Sequence, residues 1–155
     1  MTGARENMLQ KISRDTYQIW RWVKEHPGEF DDEVLGPPVL TCSVKHPKYA
    51  DAVEQQLSRN DKVALVVQNK KDYRKLLAVC FGDGGLKLRD VTIRESSSTT
   101  VPPPPMDREE IQKLGFDGYT VDFMDGPAPV LTMLCNECSV HRTVCSAQLC
   151  FVPLD

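Results

Sequence analysis

The sequence predicts a small α/β (α+β) domain of mixed sheet and packed helices, preceded by one amphipathic helix. Two observations carry that expectation. Along Val39–Arg94 the apolar spacing switches between two residues and three-to-four residues and back, the alternation of strand with helix. In the middle of that stretch, "KVALVVQ" (Lys62–Gln68) is a short apolar run rich in β-branched residues, the pattern of a strand covered on both faces.

The elements follow in order. Ala4–His26 reads as one helix, with Leu9, Ile12, Thr16, Ile19 or Trp20, and Val23 on a narrow apolar stripe and Pro27-Gly28 as its stop. Such a helix either packs on the domain behind it or belongs to a coiled coil. Val39–Val44 alternates and predicts a strand. Pro47 opens a helix with Tyr49, Val53 and Leu57 inward, and Asn60-Asp61 makes a turn. After the Lys62–Gln68 strand, Asn69 caps a helix from Lys70 to about Val79, with Tyr73, Leu76 and Leu77 inward. Gly82–Gly85 is a turn, and "LKLRDVTIRE" returns to strand. The glycines follow a helix rather than a strand and no Gly-Lys-Ser/Thr follows them, so they are not a phosphate loop.

"SSSTTVPPPP" is an exposed, extended linker. Beyond it, Asp107 and Glu110 form a D-x-x-E capping box for a short helix ending at Gly115. Phe116, Tyr119 and Phe123 lie among glycines and acids. Pro127 or Pro129 opens the next helix, and "SVHRTVC" alternates as a strand.

A chain of 155 residues fits one domain or two very small ones, and 41% hydrophobic with 26% charged residues is ordinary globular composition. No run of eighteen apolar residues is present, and "MTGARENMLQKISRD" has no apolar core of a secretory signal. The expected setting is therefore intracellular, where six cysteines stay reduced. A net charge of −3 does not mark a nucleic-acid binder, so any DNA contact must come from a local patch or from a partner chain.

Within "LCNECSVHRTVC", Cys135, Cys138, His141 and Cys145 are four soft ligands in eleven residues, which suggests a zinc-stabilised interaction module. The helical period offers another account. Val130, Leu131, Leu134, Cys135 and Cys138 form one buried stripe in which cysteine acts as a small hydrophobe. No glycine opens the turn between Cys135 and Cys138 that a zinc knuckle needs. The expectation is buried thiols, with no metal and no other cofactor.

Two ordered stretches, "VLTCSVKHPKYADAVEQQLSRNDKVALVVQNKKDYRKLL" and "LGFDGYTVDFMDGPAPVLTMLCNECSVHRTV", resemble the hinge of the structural maintenance of chromosomes (SMC) family. Within the family they resemble the branch that pairs with protein 6 in eukaryotic genome-stability complexes. The resemblance runs from about Val39 to about Val144. It implies a non-catalytic, SMC-hinge-like module of the nucleus and chromosome, acting in repair and recombination. Its partner would be the SMC protein 6 hinge, and single-stranded DNA would be a ligand. No small-molecule substrate and no membrane are implied, and the ATPase heads lie outside such a segment. The implied organisation is an arm helix over 1–28, a first hinge subdomain over 39–94, a linker over 95–105, a partial second subdomain over 106–148 and an atypical tail over 149–155.

On this reading Lys70, Lys71, Arg74 and Lys75 form a basic flank that can track phosphates, or a merely solvated face. Phe116, Tyr119 and Phe123 either anchor the partner hinge or belong to the core. The family pattern continues past the His141 strand where "SAQLCFVPLD" stands here. The expectation is a truncated second subdomain, with an unpaired sheet edge near Val140–Val144, an unburied Leu149–Leu154 tail and marginal stability in isolation.

Overall fold

The computed structural model describes residues 2–97, 100–146 and 150–153. Two helices open the chain, α1 (Thr2–Ile12) and α2 (Arg14–Glu25), where the sequence predicts one. The break falls at Ser13, whose hydroxyl accepts from the Thr16 amide (3.2 Å) and donates to the Asp90 carbonyl (2.8 Å). That N-cap satisfies a donor which a continuous helix would have bonded itself. Asp15 fixes the same contact from the other side, accepting from the Arg89 and Asp90 amides at 2.9 Å each.

A short helix, α3 (Pro38–Thr41), replaces most of the strand expected over Val39–Val44, of which only β1 (Ser43–Val44) remains. Pro37-Pro38 presets a helical first turn, and the Thr41 hydroxyl donates back to the Pro37 carbonyl, so the local chemistry overrides the alternation. Next come α4 (Ala50–Gln56) and α5 (Arg59–Lys62). The second of these occupies the expected Asn60-Asp61 turn and starts on a reciprocal Ser58/Asp61 capping box.

The expected central strand is β2 (Leu65–Val67), buried along its whole length, and α6 (Lys70–Phe81) follows on its Asn69 cap. The chain then crosses over to β3 (Ile93–Glu95), which pairs with β2 in parallel, Leu65 opposite Ile93. This is the strand–helix–strand unit that the switching period predicts. Only Ile93–Glu95 of the "LKLRDVTIRE" stretch is strand.

Past the proline run lie α7 (Arg108–Lys113), β4 (Gly118–Tyr119), β5 (Met124–Asp125), α8 (Ala128–Cys138), β6 (Thr143–Cys145) and β7 (Cys150–Pro153). Asp107 caps α7 through the Glu109 amide. Ser139, in the left-handed region at φ 57°, ends α8 and turns the chain into β6, so "SVHRTVC" is strand only over its last three residues. β5 pairs antiparallel with β1, and β6 lies between β4 and β7. The edge expected to be bare at Val140–Val144 is therefore paired on both sides along β6. Leu149 and Leu154 of the expected tail lie outside the described residues.

Successive residues of β2 feed different cores. Leu65 and Val67 pack with Ile19, Val23, Leu76 and Cys80. Val66 packs with Ile111, Tyr119, Val130 and Leu134. Period two along a strand makes this possible, since neighbours point to opposite faces. The segments on either side of the proline run thus share one strand as their common wall.

Candidate partner and nucleic-acid interfaces

α6 presents the basic flank because its apolar side is fixed inward by Leu76 and Cys80, both fully buried. Lys70, Lys71 and Arg74 are exposed and Lys75 is half exposed. Two of the four are matched by carboxylates from the segment after α2: Lys71 Nζ lies 3.1 Å from Asp31 and Lys75 Nζ 2.6 Å from Glu29. A hydrogen bond from Lys75, then its charge, hold the Glu29 carboxyl below its ordinary range. Asp72 locks this segment in place, accepting from the Asp31 and Asp32 amides at 3.0 Å each. Among the described residues Lys70 and Arg74 form no ion pair, so they carry the unmatched charge of the flank.

The three aromatics do not form one surface. Tyr119 is fully buried, and its hydroxyl donates to the Met106 carbonyl at 2.7 Å, so it has no face to offer a partner. Phe123 is half-buried and stacks on Tyr49, ring centres 3.9 Å apart. The Tyr49 hydroxyl donates to Asp117 at 2.8 Å; burial, then that carboxylate, push its pKa to about 12. Phe116 is half-buried against the second core. Beside it Leu114 is 64% exposed, more than any other large apolar side chain described. Its signal was present in the sequence, as an apolar residue next to Gly115 off the α7 stripe.

Among the described residues no three His, Cys, Asp or Glu side chains converge as metal ligands. Cys135 is in the second core; Cys145, on β6, packs with Tyr49 and Ala52. Burial pushes the Cys135 thiol up to about 11. His141 is half-buried, and its Nδ1 is enclosed with no hydrogen-bond partner among the described residues; burial, then Arg142, lower its pKa.

Cys138 belongs to a different constellation, which sequence reasoning missed. Arg94 on β3 donates to Asp61 on α5 at 2.7 Å, with the two side chains only 19% and 10% exposed. Burial works to raise the Asp61 carboxyl, but hydrogen bonds from Cys138, Ser58 and Arg94 outweigh it and bring it down to about 2. Arg94 also reaches the Met133 sulfur at 3.4 Å, so the network ties β3 and α5 to α8. Ser58-x-x-Asp61 is a capping pattern that could have flagged the aspartate; nothing local to Arg94 marks it.

A parallel strand pair crossed by α6, walled by short sheets and preceded by paired helices, is the fold of an SMC hinge. The Pyrococcus furiosus Smc hinge domain with an extended coiled coil matches 99% of this chain and 68% of its own, at a TM-score of 0.51 and 13% identity, a likeness of fold alone. The crystal structure of the S. pombe Smc5/6 hinge domain matches 86% of this chain and 48% of its own, at a TM-score of 0.74 and 30% identity.

The chain is homologous to the hinge region of structural maintenance of chromosomes protein 5. That protein from Schizosaccharomyces pombe is 31% identical over 133 residues, 83% of this chain, and its Caenorhabditis elegans counterpart is 24% identical over 147 residues, 89% of this chain. The chain spans 12% of the length of each of these curated relatives. No family model matches it.

Proposed function

We propose that this chain is a non-catalytic hinge element that pairs with the hinge of SMC protein 6, and so joins the two arms of a chromosomal complex acting in the nucleus in DNA repair and recombination. The observation that carries this reading is the likeness to a solved hinge whose name joins both subunits, Smc5/6. The apolar contact is assigned to Leu114 and Phe116, with the half-buried Phe123 as a second candidate, since these present aromatic and aliphatic surface that the chain itself leaves partly uncovered. Mixing the chain with the protein 6 hinge on a sizing column tests it. Co-elution that Leu114→Asp abolishes is expected; separate elution of the native chains sinks the pairing.

Single-stranded DNA contact is assigned to the α6 flank, with Lys70 and Arg74 as the phosphate-facing cations and Lys71 and Lys75 partly neutralised by Asp31 and Glu29. Each phosphate contact contributes about −0.7 to the slope of log affinity against log salt on single strands. Lys70→Glu with Arg74→Glu should lower affinity and flatten that slope; Lys71→Glu alone should do less. Unchanged binding in the double variant moves the DNA to another surface.

A further inference from the structure

The four prolines between the two halves are held, not loose. Proline fixes φ near −65°, and a residue before proline is confined to extended ψ. Pro102, Pro103 and Pro104 are subject to both restrictions, so polyproline II geometry follows from sterics before any tertiary contact. Both ends are anchored. On one side Thr132 donates to the Thr100 carbonyl at 3.5 Å and Val101 packs on the second core. On the other, the Tyr119 hydroxyl accepts from the Met106 amide at 3.1 Å and donates to the Met106 carbonyl at 2.7 Å.

A polyproline II helix has three residues per turn, so it has three faces. Val101 and Pro104 share the face turned to the core, and both are half-buried. On the other two faces Pro103 and Pro105 are exposed, while Pro102, on the face of Pro105, and Met106, on the face of Pro103, are half-buried. Exposed prolines on two faces of a prestiffened helix are what an aromatic-lined groove reads, and the ordering cost that normally weakens such binding has already been met by the fold.

The flank selects among such grooves. Asp107, Glu109 and Glu110 follow the run directly, and the one cation among them, Arg108, is held by Asp122 at 3.0 and 2.7 Å. A groove with an acidic rim would be repelled, and one with a basic rim would be attracted. We infer that Pro102–Pro105 with Glu109 and Glu110 is a docking site for a partner protein bearing an aromatic polyproline groove with a basic rim.

Isolated SH3, WW and EVH1 domains of differing rim charge, titrated with the intact chain and followed by groove-tryptophan fluorescence, test this inference. A basic-rimmed domain should bind, and Pro103→Ala with Pro105→Ala should weaken that binding at least tenfold while lowering the thermal melt of the chain only slightly, through the freer unfolded state. Glu109→Lys with Glu110→Lys, both on exposed positions of α7, should weaken it several-fold, and more at low salt than at high. No binding by any domain at submillimolar concentration overturns the inference, as does binding that survives the proline replacement. Should the alanine variant lose its fold, the charge reversal decides: affinity unmoved by it overturns the inference equally.

Discussion

The two cores that meet at β2 are built differently. The first draws its buried residues from Ile19 to Leu88 and is largely aliphatic, with α2 and α6 as its helices. The second runs from Val53 to Val144, spans the proline run, and relies on Tyr119, Met124, Met133 and Cys135 to fill space between short strands. Aliphatic side chains on long helices interlock with few alternatives, whereas methionine and cysteine adapt to irregular gaps. The first core is thus set by periodic helices, and the second by the contacts that bring distant pieces together.

That contrast can be broken most severely from inside. Leu76→Ala empties the first core and Leu134→Ala the second; each should cost about 2–5 kcal/mol, since each leaves a cavity at a fully buried site. Because β2 is shared, denaturant unfolding should remain one transition in both variants; two separate transitions would show that the cores are independent. Next in size is Arg94→Ala, which strands Asp61 beside α8 and should cost about 3 kcal/mol. In the native chain the Asp61 contribution is complete above its unfolded value of 3.8 and is lost as pH falls toward about 2; the variant should show a weaker acid dependence, since the hydrogen bonds from Cys138 and Ser58 remain.

His141 sharpens the comparison at milder pH. Its folded pKa is depressed, so the folded chain takes up the proton less readily than the unfolded one. Stability should be full above the ordinary value of 6.5 and should fall as pH drops from there toward the folded value. Denaturation midpoints measured from pH 8 to 5 should show this decline, and His141→Phe should flatten it. Smallest is Ser13→Ala, expected to cost about 1 kcal/mol through the lost α2 cap, visible as a lowered melting temperature.

What the sequence disclosed follows the same division. β2, α6 with its Asn69 cap and the parallel crossover to β3 were legible because each spans enough residues to show a period or a cap. The strands of two residues, β1, β4 and β5, carry no period at all and exist only through their pairings. Ser13 looked like one polar residue on a helix, because the Asp90 carbonyl that it bonds lies 77 residues away. At the site, the basic flank was visible but the carboxylates that offset it were not, since Glu29 and Asp31 meet α6 only after the chain has folded back. Tyr119 illustrates the reverse. Its neighbours Phe116 and Phe123 look equivalent in sequence, yet only Tyr119 has the hydroxyl that ties down Met106 from within.

The alternation along β2 also defines a load path. A displacement of α2 presses Ile19 and Val23 on Leu65 and Val67, and Val66 between them presses on Val130 and Leu134 of α8. Tension entering through the first helices therefore reaches α8 in part by way of three consecutive residues. A chain placed where two long levers meet would feel a pull as a strain on this strand and on the Arg94 network beside it, and would pass it on rather than absorb it.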